Sequence, residues 1–262
     1  MNKIRALLSH PDVNSIDIND GSRIEAHAGI LNRKKMLKIV FCEFHDCMKR
    51  LGQQHLSVKG LEIEIGAGVS ALKNSYPDVL ATDIVHAPDL DMVLDAESMD
   101  LPDNSVGVFY GQNCFHHFSR PDNFFAEIER VLISGGGVVL LEPYYGPFAS
   151  FLFKKLFLTE GFDKKTSSWE ALNTGPMLGA NQALSYIVFK RDYDQFRLKY
   201  PMLEVVHHEL AHNYVKYLLS GGLNFRQIIP DSAIRPINFL EKLMRPLSSI
   251  FALHHFIVIQ KK

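Results

Sequence analysis

The stretch Leu61-Glu62-Ile63-Glu64-Ile65-Gly66-Ala67-Gly68-Val69-Ser70 decides the fold class. Its first five residues alternate apolar and acidic side chains, the period-two pattern of a strand with one face buried. The run then meets glycine, a small residue and glycine, which let a backbone bend sharply or approach a ligand with no side chain in the way. Ser70 stands in the loop and no G-x-G-x-x-G is completed, so a pyrophosphate seat of the nicotinamide type is disfavoured. A glycine pair after a strand is, taken alone, equally well a plain turn, and its neighbours have to decide.

Working outward, Val79-Leu80-Ala81-Thr82-Asp83 reads as a second strand, Met92-Val93-Leu94-Asp95 as a short third and Val106-Gly107-Val108-Phe109-Tyr110 as a fourth. Asn123 to Leu132 sets Phe124, Phe125, Ile128, Val131 and Leu132 on one helical face, and Gly135-Gly136-Gly137 turns the chain into a fifth strand, Val138 to Glu142. Strands alternating with helical segments imply an α/β fold with a Rossmann-like, mostly parallel sheet and ligands beyond the carboxyl ends of its strands. Those ends hold Glu64, Asp83, Asp95, Asn113 and Glu142. Two spacings depart from regular alternation. Seven residues separate Asp83 from Asp91, too few for a helical crossover, and Pro77 follows Gly68 by nine, which shortens the first helix.

Before the glycine loop, Asp20 to Leu51 spaces Ile30, Leu31, Met36, Leu37, Val40, Phe41 and Phe44 for one apolar helical stripe. Beyond Pro143 come an apolar patch, a polar loop from Asp163 to Asn173 and a helix near Asp192 to Tyr200. Leu203 to Leu210 and Phe251 to Gln260 read as strands that close a seven-stranded sheet as a terminal pair. Between them lie a short helix after His212 and another around Phe239 to Leu247. The expected organisation is a single domain over 1–262, with a helical N-terminal lead-in at 1–55, a ligand-binding core at 56–143 and, at 144–262, an insertion after the fifth strand followed by the terminal strands.

With 47% hydrophobic and 22% charged residues among 262, the chain can bury a large core. Its 28 basic and 29 acidic side chains nearly cancel, so no global field favours nucleic acid as a partner. Three cysteines, Cys42, Cys47 and Cys114, make no disulfide framework, and no secretory signal opens the chain, so a cytoplasmic location is expected. Pro147 to Leu158 and Ile250 to Ile259 are apolar but much shorter than a bilayer span.

A ligand with a cationic centre, an amino acid end and an adenosine needs acidic groups and backbone hydrogen bonds at its seat. Asp83 at a strand end suits a ribose diol, and Asp95 with the Ala96 amide suits the amino edge and ring nitrogen of adenine. The ordered set of Glu64 to Gly68, Asp83, Asp95 to Pro102, Asn113 to His117, and Glu129-Arg130-Val131-Leu132 before triple glycine resembles class I S-adenosylmethionine (SAM)-dependent methyltransferases. The likeness is to their small-molecule branch, which includes quinone-biosynthesis enzymes, and runs from about Leu61 to Pro143. It implies SAM as cofactor. Glu64, Gly66, Ala67 and Gly68 would lie at its methionine part, Asp83 with Ile84 at the ribose side, Asp95 with Ala96 at the adenine, and Asn113 at the side of methyl transfer.

Methyl transfer needs an aligned acceptor and, for a hydroxyl, a proton acceptor. His116 and His117, just past the fourth strand, are the candidate bases, and Glu142 and Tyr144 candidate acceptor contacts. Packing or capping is the plainer role for at least one of the histidines, and a strand end followed by a proline turn reads equally well for Glu142 and Tyr144. No metal site is expected: Cys42, His45 and Cys47 do not share one helix face, and the pairs His207-His208 and His254-His255 alternate across a strand. The aromatic run from Tyr144 to Phe157 packs the core of the insertion on the plainer reading, and otherwise offers an apolar lid, or a surface for a lipid-linked acceptor and peripheral membrane contact. The expected acceptor is a small molecule or is lipid- or glycan-linked, with O-methylation as the first expectation. A SAM-binding regulatory or assembly protein without transfer, and a nicotinamide-dependent oxidoreductase, are the rivals.

Overall fold

The computed structural model describes residues 7–16, 22–69, 71–87, 89–157, 160–171 and 180–262. Met1, Asp20, Ser70, Leu158 and Asn173, which bound or belong to stretches read above, lie outside the described residues. Strand β1 (Leu61–Ile65) lies inside a sheet with β2 (Leu80–Asp83), β3 (Met92–Val93), β4 (Val106–Gln112), β5 (Leu132–Pro143), β6 (Leu203–Leu210) and β7 (His254–Lys261). The spatial order is β3-β2-β1-β4-β5-β7-β6. Neighbours from β3 to β5 run parallel, and β7 runs antiparallel to both β5 and β6. The order reverses at β1 and β4, which puts a crevice beyond their carboxyl ends.

Period-two alternation sorts the core into two layers. Ile63, Ile65, Phe109, Val138, Leu140, Ile257 and Ile259 face one way, onto Phe124, Phe125, Ile128 and Val131 of helix α3 (Pro121–Val131). Val108, Tyr110, Val139, Leu141, Phe256 and Val258 face the other, onto Leu37, Val40, Phe44, Met48 and Leu51 of α2 (Lys35–His55), which follows α1 (Ser22–Arg33). The stripe read from the sequence is the stripe that is buried. α2 covers a face that crossover helices would otherwise cover, because the chain between β1 and β3 holds only the 3-10 turn Leu72–Asn74 and no other helix among its described residues.

Two expectations about strands are corrected. The third strand is Met92–Val93 alone, since Leu94 and Asp95 leave the sheet. Gly135-Gly136-Gly137 is no turn between helix and strand: β5 starts at Leu132 and the glycines form a bulge inside it, where Val106 pairs Leu132 but Val108 pairs Gly137. Close backbone approach explains the glycine. A Cβ on Gly137 would sit 2.1 Å from the Ile259 carbonyl oxygen.

The insertion after β5 begins with α4 (Pro147–Lys155), and a helical stretch whose first turn is Leu184–Tyr186 widens into a π turn at Ile187–Arg191 before α5 (Tyr193–Lys199). Between β6 and β7 come α6 (Tyr214–Ser220), α7 (Ile234–Met244) and a last turn, Ser248–Phe251. No helix among the described residues is long and apolar enough to cross a membrane.

Candidate active site

The loop after β1 is held from below by two carboxylates. Glu64, almost fully buried, accepts from the Leu72 amide at 2.6 Å and so caps the 3-10 turn, while its own carbonyl accepts from the Thr82 hydroxyl. Burial pushes its carboxyl up to about 8, and the nearby Asp83 charge adds to that. Asp83 accepts from the Gly68 amide at 3.1 Å with one oxygen and from the Val85 amide at 3.1 Å with the other. Gly66 takes φ +66°, and a Cβ on it would lie 2.7 Å from the Cys114 Cβ, so loop and β4 end touch. Ala67 is buried in this junction, and its amide donates to the Thr82 carbonyl.

At the adjoining strand ends the remaining predicted cofactor residues gather. Asp95 accepts from the Glu97 amide at 2.8 Å, Ala96 is buried, and the apolar side chain of Ile84 is 57% exposed beside Asp83. Asn113 adopts φ +52°, a left-handed conformation that asparagine tolerates better than most residues. Its Oδ1, and the Oε1 of Gln112 before it, are buried without a hydrogen-bond partner among the described residues. Buried amide oxygens left unpaired are costly, and a ligand N–H would repay them. With a glycine cradle, two carboxyl groups and these two acceptors, the site suits a cationic amino acid nucleoside better than a phosphate, for which the glycine loop leads, among the described residues, only into the 3-10 turn Leu72–Asn74. The residues present fit SAM.

Glu142 at the end of β5 is fully buried and organises the turn Phe115–His117. Its Oε1 accepts from the Cys114 and Phe115 amides at 3.1 and 2.9 Å. Its Oε2 pairs with His116 Nδ1 at 2.6 Å. Such a carboxylate has no lone pair facing an acceptor, so its geometry is that of a brace. His116 Nε2 meets Glu160 Oε2 at 3.2 Å. Burial works against charge on His116, but the carboxylates on both sides outweigh it and lift the imidazole to about 10. Glu160 shows the reverse balance, held at about 2 by the His116 cation despite burial.

His117, its ring 4.3 Å from that of His116, differs in every respect. Burial and the neighbouring imidazolium lower it to about 4, and its Nδ1 is buried without a partner among the described residues. His116, His117 and Glu160 each bring a ligand-type atom within 4.8 Å of the others. Within this group the two ring nitrogens of His116 meet different carboxylates, Nδ1 that of Glu142 and Nε2 that of Glu160.

Tyr144 lies off this cluster, its ring 4.8 Å from Tyr145 and 5.5 Å from His255. Sequence reading missed Glu160 and Ser185, and it set His208 aside. Glu160 sits in the apolar insertion with no motif around it. Ser185 and His208 bracket buried His255, at 2.9 and 2.7 Å, in a cross-strand chain that only the β6–β7 register reveals. A cavity of about 480 Å³ opens beside His116, lined among others by Phe118, Trp169, Asp163, Thr166 and Asn181. Cys42, His45 and Cys47 go separate ways: Cys42 is exposed, His45 turns to Ser75 and Cys47 to Arg50 and Glu209.

Residues 61–140 match a family model described as a methyltransferase domain. Among solved structures, the geranyl diphosphate C-methyltransferase of Streptomyces coelicolor is similar at 11% identity, with 86% of this chain and 82% of that one covered and a TM-score of 0.50, a likeness of fold. A SAM-dependent methyltransferase from Archaeoglobus fulgidus aligns at 14% identity over 82% of this chain and 93% of its own, with a TM-score of 0.47. An inosine-5'-monophosphate dehydrogenase of Tritrichomonas foetus is 38% identical over 66 residues, 24% of this chain. The chain thus spans 12% of that curated relative's length.

Proposed function

We propose, from the premise that residues 61–140 are a methyltransferase domain of the SAM-dependent class I kind, that this chain transfers a methyl group from SAM to an acceptor hydroxyl seated beside His116 and His117. The observation that carries the choice of a hydroxyl is the His117 Nδ1, a buried ring nitrogen with no hydrogen-bond partner among the described residues, on a ring that burial keeps neutral at physiological pH. When bound, SAM supplies a methyl carbon activated by positive sulfur and leaves as a neutral thioether.

The chain's own residues do the rest. Asp83 supplies negative charge beside the Gly66–Gly68 loop, Glu64 adds charge only as pH climbs through the raised value of its buried carboxyl, and the Gln112 and Asn113 amide oxygens accept N–H donors at the β4 end. Asp95 and the Ala96 amide read the adenine edge, with Ile84 against its side. His116, already protonated between Glu142 and Glu160, can take no further proton, and it positions the turn that carries His117. His117 Nδ1 receives the acceptor's O–H proton as the oxygen attacks. The cavity beside His116 combines the Phe118 and Trp169 rings with Asp163, Thr166 and Asn181, which suits a hydroxyl-bearing small molecule or the glycan portion of a lipid-linked one.

His117→Ala tests the base. A fall in kcat of about 10²- to 10⁴-fold with SAM affinity unchanged is expected, and full activity would overturn the role. A second reading, SAM binding without transfer, draws on the same residue, since an imidazole held near 4 is a weak base. Single-turnover transfer of labelled methyl into metabolite, lipid and glycan extracts separates the two.

A further inference from the structure

The segment between β6 and β7 wears its apolar side outward. Phe239 is 65% exposed, Leu243 62%, Leu247 45% and Ile250 44%, spaced so that they continue one stripe along α7 and the turns after it. The residues turned inward are fewer and more polar. Besides Ile237 they are Glu241, which pairs with Lys216 Nζ at 3.4 Å and accepts from the Lys216 amide, and Ser248, whose hydroxyl meets His212. A helix that served only to cover a core would have the opposite polarity.

Charge divides the same way. Between Ile234 and Phe251 the exposed ionisable side chains are Arg235, Lys242 and Arg245, all cationic, and the sole acid there is the buried Glu241. α4, whose Phe148 ring lies 5.5 Å from Phe251, adds exposed Phe151, Lys154 and Lys155 and contains no acid. Both segments leave the sheet at one edge, because Pro143 pairs with His254 and Leu210 with His255. That edge carries Glu142 and the site.

We propose that this surface docks on an anionic phospholipid bilayer, with α7 lying in the interfacial plane, its apolar stripe among the acyl chains and its five flanking cations on the headgroups. The uniform positive charge around an outward apolar stripe is what selects a bilayer, since it complements a negatively charged plane wherever it lands. The inference deepens the functional reading, because a lipid-linked acceptor would then meet the site at the membrane surface. It is tested without turnover, so either can fail alone.

The full chain is sedimented with vesicles of phosphatidylcholine alone and of phosphatidylcholine with phosphatidylglycerol. Binding to the mixed vesicles is expected, weakened roughly tenfold or more by high salt and by the double substitution Phe239→Glu/Leu243→Glu. Both positions face outward, so the variant should keep the wild-type melting temperature. Failure of the wild type to bind mixed vesicles would overturn the proposal, as would unchanged binding by the double variant. A wild-type dimer in sedimentation velocity that the same variant turns into a monomer would assign the face to a second copy of the chain and overturn it too.

Discussion

Gly66 has no room for a side chain and a backbone conformation that L-residues avoid, with Cys114 directly opposite. Gly66→Ala is expected to cost about 1–3 kcal/mol by chemical denaturation and to weaken SAM at least tenfold, because the loop must retreat from β4. Glu64 offers a pH test. Its carboxyl is raised from 4.5 to about 8 in the fold, so between those values the folded state holds a proton that the unfolded chain releases. Stability should therefore fall as pH rises from about 4.5 to 8, a slope that Glu64→Gln flattens. SAM affinity should move oppositely, rising through pH 8 as the charged carboxylate meets a cationic ligand. A flat titration of affinity would contradict that placement. The glycines and the strand-end acids were readable because strand, glycine and carboxylate come consecutively or at fixed strand ends. The bracing of Asp83 on Gly68, and of Glu64 on Leu72, was not, since both depend on how the loop folds back.

The turn Phe115–His117 is an element built by a carboxylate from another strand. Glu142→Gln keeps the size but removes the charge, so His116 should lose most of its lift. An NMR titration of His116 is expected to fall by several units from about 10, and His117 to rise once the neighbouring cation is gone. For the wild type, the stability contributed by the raised His116 is full below 6.5 and lost as pH climbs through about 10. That of Glu160, depressed to about 2, is present above 4.5 and lost as pH falls toward 2. A stability profile identical in wild type and Glu142→Gln would contradict the bracing role. The adjacent histidines could be picked out from sequence, but not their division into a cation and a neutral ring. That split comes from burial together with Glu142 and Glu160, which reach His116 from 26 and 44 residues downstream.

The whole molecule keeps the strand order of a doubly wound sheet while shedding helices between β1 and β3. α2 compensates by burying Leu37, Val40, Phe44, Met48 and Leu51 against β4, β5 and β7. Phe44→Ala, which empties a fully buried site, should cost about 3–5 kcal/mol, seen as a lower denaturation midpoint at unchanged slope. The helical lead-in could be recognised from its apolar stripe, and the short crossovers from the Asp83–Asp91 and Gly68–Pro77 spacings, but that the lead-in covers the face those crossovers leave open is seen only in the packing. The terminal strands were likewise visible as strands, while their antiparallel register, and with it the His208–His255–Ser185 chain, emerged only in three dimensions. Ligand linkage gives the global readout, for SAM at a hundredfold excess over its Kd should stabilise the fold by about 2.7 kcal/mol. The most direct measurement is calorimetric titration of SAM into the wild type and into Asp83→Ala. The account predicts one site per chain and an affinity reduced at least tenfold in the variant; equal affinities, or no binding to the wild type, would contradict it.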